Sequence, residues 1–155
     1  MRILFAGSPD FAVPSLEALH EEFPVAAVLT NPDRPVGRGK QAVATPVKQQ
    51  ALALDLPVLQ PLTLDAVFLE QVRAVDAELL VAAAFGRIFS REFLGLFPQG
   101  GINLHASLLP RYRGPSPITA VILNGETQTG VTVQRLAPKM DTGAVSYTHL
   151  RAHET

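Results

Sequence analysis

An amide and an imidazole two residues apart, Asn103 and His105, are the side chains in this sequence best placed for chemistry. They lie in GINLHASLLPRYRGPSPI, Gly101 to Ile118. An asparagine N–H can donate to a developing oxyanion. A histidine can give or take a proton near neutral pH. Asp141, in the turn Pro138-Lys139-Met140-Asp141-Thr142-Gly143, is the third candidate. A carboxylate beside an imidazole favours the charged ring and orients it. Ser107 is close by but lacks the G-x-S-x-G elbow of an activated serine. With no convincing nucleophile, these residues point to direct attack of a substrate amine on a carbonyl, through a stabilised tetrahedral intermediate. The competing reading is a hydrogen-bonded Asn-x-His pair that serves structure alone.

The pair needs a strand to present it. Ile102 and Leu104 alternate with Asn103 and His105, so the polar groups share one face. Ala106, Ser107 and the Pro-Arg-Tyr-Arg-Gly-Pro turn then break the strand. Ligands of open α/β sheets bind at such carboxyl ends. Upstream, strands are expected at Arg2–Ala6, Val25–Thr30, Leu56–Leu59 and Glu78–Ala84. Helices are expected at Pro14–Glu22, Thr45–Leu54, Leu64–Val75 and Ser90–Phe97. Downstream come a helix over Pro115–Leu123 and a strand over Thr129–Leu136. The alternation predicts a doubly wound, mostly parallel α/β sheet. Asp141 follows the last strand, so it reaches His105 only if those two strands are near neighbours.

Composition narrows the classes. The 155 residues are 47% hydrophobic and 17% charged, which suits one globular domain. There is no cysteine, so disulfides and thiolate zinc sites are excluded. No apolar run is long enough to span a bilayer. Met1 to Gly7 reads as a buried strand and not as a signal peptide, which fits a cytoplasmic protein. Gly7 is followed by Ser8-Pro9, and the next glycine is Gly37, so no dinucleotide fingerprint is present. Gly7 then reads as part of a plain strand-to-helix turn.

The formal charge of −1 gives no global attraction for nucleic acid, so such a partner needs a local basic patch. Asn31 to Thr45, NPDRPVGRGKQAVAT, offers one: Arg34, Arg38 and Lys40 against the single carboxylate Asp33. It reads as a long loop, either suited to phosphates or a solvated mobile segment. The small residues before Gly86 allow either a flat ligand against backbone or close helix packing. His149 and His153 are four apart, but no third ligand accompanies them and no metal is expected.

FAGSPDFAVPSL, TNPDRPVGRGK, TPVKQQA, INLHASLLPRYRGPSPI, GVTVQRL and KMDTG together resemble the methionyl-tRNA formyltransferase family. The resemblance runs almost unbroken from Met1 to about Val145. Asn-x-His-x-Ser-Leu-Leu-Pro with a later Asp-x-Gly is similar to the wider group of folate-dependent formyltransferases, and NPDRPVGRGK narrows it to the transfer-RNA enzyme. The resemblance implies a Rossmann-like formyltransferase fold, incomplete at its C-terminus. It implies 10-formyltetrahydrofolate as cosubstrate, no metal, and initiator methionyl-tRNA as acceptor, in a monomeric parent with no membrane partner. Asn103, His105 and Asp141 match the catalytic positions. Phe85, Gly86, Arg87, Ile88, Ser107, Leu108, Leu109 and Pro110 match the folate-binding segments. Arg34, Arg38 and Lys40 match the insertion that meets the tRNA acceptor end.

The sequence also departs from the family pattern. Phe89-Ser90 stands where the family usually has Leu-Pro, a change conservative in position and expected to be harmless. Residues 1–145 read as part of the catalytic domain, whereas SYTHLRAHET, 146–155, reads as a foreign tail similar to a translated adapter end. Against the family pattern, the rest of the catalytic domain and the OB-like tRNA-binding domain are expected to be missing from these 155 residues. Alternatives are formyl transfer to glycinamide ribonucleotide or an amino sugar, and an inactive folate-binding fragment with an open sheet edge prone to association.

Overall fold

The computed structural model describes residues 1–152. β1 (Ile3–Gly7) is an apolar run buried along its whole length, as expected for a strand covered on both faces. A single 3-10 turn, Asp10–Ala12, leads into α1 (Val13–Glu22), with Pro14 in its first turn. β2 (Val25–Leu29) then returns parallel to β1.

The stretch expected to be a loop is a hairpin at its centre. β3 (Arg34–Val36) pairs antiparallel with β4 (Gln41–Val43). Gly37 (φ 74°) and Lys40 (φ 48°) reverse the chain between them. The Gly-Arg-Gly-Lys tip dominates the composition, and it masks the strand preference of Val36 and Val43 on either side.

α2 (Pro46–Ala53) is capped by Thr45, whose Oγ1 accepts the Lys48 N–H at 3.1 Å. β5 (Val58–Leu59) and α3 (Ala66–Val75) follow. α3 starts at its cap Asp65, whose carboxylate accepts the Phe68 N–H at 3.0 Å. β6 (Leu79–Ala83) precedes α4 (Arg91–Leu94), capped by Ser90 as expected but shorter, because Gly95 ends it. β7 (Gly101–His105), α5 (Pro117–Leu123), β8 (Gln128–Arg135) and β9 (Val145–Ala152) complete the order.

The large sheet has the order β5-β2-β1-β6-β7-β8-β9. β5 to β7 are parallel, and β8 and β9 are antiparallel additions. Residues 146–152 lie on the sheet: β9 pairs with β8 from Gln128↔Ala152 to Gln134↔Val145. His149 sits on this strand, opposite Val131. His153 and the two residues after it lie outside the described residues. No described helix is long and apolar enough to cross a membrane.

The two sheet faces carry separate cores. On one, Ile3, Phe5, Val28 and Val81 pack against Leu16 of α1 and Val47 and Ala51 of α2. On the other, Leu4, Ala6, Leu80 and Ala82 meet Phe68, Leu69 and Val72 of α3. A row of aromatic rings extends that second core. Phe85 stacks on Phe89 at 5.3 Å, Phe89 on Phe93 at 4.9 Å, and Phe97 tilts against Phe93 at 5.6 Å. Phe89, the departure from the family's usual leucine, thus continues an aromatic stack.

The winding direction changes between β1 and β6, which makes their carboxyl ends the switch point where ligands bind. Gly7 ends β1 there. A Cβ on it would lie 2.7 Å from the Ala83 carbonyl oxygen and 2.9 Å from the Ala12 Cβ. Gly7 thus serves close backbone packing.

Candidate functional site

A cleft of about 450 Å³ opens at the carboxyl ends of β1, β6 and β7. Asn103 and His105 enter it from β7 because Ile102 and Leu104 are committed to the core on the opposite face. The β7–β8 register sets Asn103 opposite Gln134 and His105 opposite Thr132, so all four share one side of the sheet. Asp141, on the turn after β8, completes the group. The neighbouring strands bring it to His105: Nδ1 lies 3.4 Å from the Asp141 Oδ1, with the two side chains only 5% and 7% exposed.

The Asp141 carboxylate and the His105 ring have definite partners. Asp141 Oδ2 accepts the Gly114 N–H at 2.8 Å, and Oδ1 accepts the Gln134 Nε2 at 2.7 Å. His105 Nε2 is 2.8 Å from the Tyr112 carbonyl oxygen, which accepts its proton. Both ring nitrogens therefore face acceptors, an arrangement in which an imidazolium donates twice. The half-buried Asn103 amide makes no side-chain hydrogen bond among the described residues, which leaves it for a ligand. An amide donor beside a carboxylate-backed imidazole can stabilise an oxyanion. Ala84 (φ 49°), Tyr112 (φ 56°) and Asp141 (φ 52°) hold left-handed backbone around this cluster. Such strain gathers where geometry is imposed for function.

The expected Phe85–Ile88 segment lines the cleft. Asn31 holds it in place. Its Nδ2 donates to the Phe85 carbonyl at 2.7 Å and to Ser8 Oγ at 2.9 Å, and its Oδ1 accepts Arg87 Nε at 2.8 Å. Arg87 also donates to the Pro61 carbonyl at 2.9 Å. Its guanidinium is thus committed to the wall. Phe85 is buried in the aromatic stack, while Ile88 is 58% exposed at the rim.

Ser107, Leu108, Leu109 and Pro110 are not brought to the cleft. Ser107 is fully buried, and its Oγ donates to the Arg111 carbonyl at 2.7 Å. Thr132 Oγ1 accepts the Leu109 N–H at 3.2 Å and donates to the Ser107 carbonyl at 2.7 Å. The segment braces the loop that carries Tyr112, so its expected contact with a donor gains no support from this arrangement.

Arg34, Arg38 and Lys40 are exposed on the β3–β4 hairpin, outside the cleft. None forms an ion pair among the described residues. Asp33, the carboxylate nearest in sequence, is engaged by Lys48 and Gln60, each at 2.7 Å. The Lys48 and Gln60 hydrogen bonds hold its carboxyl below the usual range. The hairpin cations therefore keep their charge available for phosphates.

Sequence reasoning missed Gln134, Asn31 and the Tyr112 carbonyl. Gln134 was within reach: strict alternation along Val131–Gln134 sets Thr132 and Gln134 on the face opposite the valines. Asn31 and the Tyr112 carbonyl act through long-range packing and backbone, which periodicity does not encode.

The Tyr112 loop is fastened at the surface. Tyr112 Oη donates to Glu126 at 2.6 Å, and Arg111 pairs with the same carboxylate. The Tyr112 hydrogen bond, then Arg111, holds Glu126 below its ordinary value of 4.5. Its contribution is present above that value and is lost as pH falls through the lowered one. Acidification through that lowered range should loosen residues 108–114 before the sheet opens. Amide exchange of that loop against pH would show it; a loop that exchanges no faster than β1 under acid would contradict it.

The sequence profile of the formyl transferase family matches residues 1–150. The chain belongs to that family. This formyltransferase sequence is 55% identical over 150 residues to a methionyl-tRNA formyltransferase of Moorella thermoacetica, covering 94% of this chain and 47% of the relative. A methionyl-tRNA formyltransferase of Syntrophus aciditrophicus is 51% identical over 145 residues, covering 92% and 46%. The chain spans about half the length of the curated relatives it matches. The formyltransferase fold recurs in the phosphoribosylglycinamide formyltransferase of Streptococcus pneumoniae. There the TM-score is 0.77 at 20% identity, with 99% of this chain and 83% of the other covered.

Proposed function

We propose that this domain, in its full-length protein, transfers a formyl group from 10-formyltetrahydrofolate to the amino group of initiator methionyl-tRNA. The observation that carries this reading is the free Asn103 amide beside the His105–Asp141 pair at the switch point of the sheet. The amine nitrogen attacks the formyl carbon, and the carbonyl oxygen gains the negative charge. Asn103 and His105 donate to that oxyanion. At Nε2 the oxyanion, a stronger acceptor, takes the place of the Tyr112 carbonyl. Asp141 faces Nδ1 and orients the ring. Collapse breaks the bond to the folate nitrogen, which leaves with a proton while the new amide loses one.

The cleft suits such a donor. Its volume of about 450 Å³ is in the range of small-molecule sites. Gly86 carries no side chain, so a flat ring can approach the backbone beside Ile88. The exposed Arg34, Arg38 and Lys40 supply phosphate contacts for the tRNA acceptor end. On this reading the protein works in the cytoplasm, as a monomer.

Formyl transfer to another amine is the second reading, favoured by the fold shared with the sugar 3N-formyl transferase WlaRD. Its structure was determined in the presence of dTDP and 5-N-formyl-THF, with a TM-score of 0.66 at 23% identity and coverage of 99% and 53%. The basic hairpin argues for the tRNA. The test offers the full-length protein one donor and three acceptors: methionyl-tRNA, glycinamide ribonucleotide and an amino sugar nucleotide. Product on methionyl-tRNA alone is expected. Arg38→Ala should raise KM for the tRNA several-fold, make its salt dependence shallower by about one unit, and leave donor KM unchanged. Equal losses for donor and tRNA would remove the hairpin's role.

A further inference from the structure

We infer that Gln134 is a positioning residue for formyl transfer, holding the Asp141 carboxylate against His105 from the floor of the cleft. The inference rests on the function proposed above. Gln134 is 2% exposed and stands opposite Asn103 on the neighbouring strand. Its Nε2 donates at 2.7 Å to Asp141 Oδ1, the same oxygen that faces His105 Nδ1 at 3.4 Å. The other oxygen is fixed by the Gly114 N–H at 2.8 Å. Without Gln134, Oδ1 would keep only the longer histidine contact.

The amide's orientation is dictated. Reversing it would set Oε1 against a carboxylate oxygen, two acceptors face to face. As it stands, Oε1 is buried and has no hydrogen-bond partner among the described residues. A fold that tolerates an unsatisfied buried acceptor beside its reactive group is spending stability on the position of the donor. The turn agrees with this. A Cβ on Gly143 would overlap the Arg135 carbonyl, so the turn bearing Asp141 folds tightly back onto the strand end bearing Gln134.

The charged and titratable surroundings are few. His105 faces Asp141 from β7, and Lys139 shares its turn. Arg135 follows Gln134, but its guanidinium donates to the Gln99 carbonyl at 3.1 Å. Arg87, on the cleft wall, is committed to Asn31 and Pro61. From β9, the residue in register with Gln134 is Val145.

The test compares Gln134→Met and Gln134→Glu with wild type in the full-length protein, measuring kcat and both KM values from about pH 5 to 9. Methionine keeps the volume and removes the donor. It should lower kcat roughly ten- to a hundredfold, with donor KM within about twofold of wild type. Glutamic acid can donate as the amide does while protonated, and it repels Asp141 once ionised. Gln134→Glu should therefore work best at the acid end and lose activity along a rising-pH limb that wild type lacks. A merely structural role would lower activity at every pH alike. A Gln134→Met kcat within threefold of wild type overturns the inference, as does a Gln134→Glu profile parallel to wild type. If the methionine variant fails to fold, the glutamate profile alone decides. A wild type that formylates no amine overturns the function itself, and this inference with it.

Discussion

Replacing His105 with alanine in the full-length protein is expected to lower kcat by about 10²- to 10⁴-fold, the range for a positioned acid–base group. Donor affinity, measured by calorimetry, should stay within about twofold, because the ring contributes to the oxyanion and not to the wall formed by Gly86 and Ile88. The fold should survive. Asp141 loses its histidine partner, yet it keeps the Gln134 and Gly114 donors. The Tyr112 carbonyl loses its Nε2 donor but remains on a loop braced by Ser107 and Thr132. Turnover close to wild type would remove His105 from the mechanism. A parallel collapse of donor binding would make it a structural residue.

The second large effect concerns stability. Phe93 is fully buried and touches three other rings, Phe68, Phe89 and Phe97. Phe93→Ala should cost about 3–5 kcal/mol, since neighbouring rings cannot collapse far enough to fill the space. That is a large part of the total for a domain of this size. Denaturant midpoints would measure it. The loss should reach the cleft as well, because the Phe85–Ile88 wall rests on the same stack through Phe89. Weaker donor binding in Phe93→Leu, which fills more of the space, would show that coupling without global unfolding. A loss under about 1 kcal/mol for alanine would mean that the row is not the centre of that core.

Much of this was legible in the chain because local patterns and global packing agree. The apolar run at Ile3–Ala6, the Thr45-Pro46 cap and the Ile102/Leu104 alternation each specify one structure. Asn103, His105 and Asp141 could be grouped once two strands were taken as neighbours, and the β7–β8 register supplies that. The hairpin was hidden because its glycines and cations outweigh three-residue strands. The inward turn of Ser107 was hidden for another reason. A serine hydroxyl beside a turn has local backbone partners to choose from, and spacing does not reveal which it takes. Gln134 reads as an ordinary polar strand position until the turn brings Asp141 back over it.

The Asn31 side chain holds the cleft wall with an amide, and amides age. Asparagine usually deamidates when the next residue's backbone nitrogen attacks the side-chain carbonyl, which requires an N–H at that position. Residue 32 is proline, which has none. Conversion to aspartate would replace the donor to the Phe85 carbonyl with a charged acceptor. The Asn31-Pro32 sequence closes that route and so protects the cleft against slow chemical decay. At Asn124-Gly125, on the exposed end of α5, the route stays open, but there the side-chain bond at stake among the described residues is one to the Ala120 carbonyl.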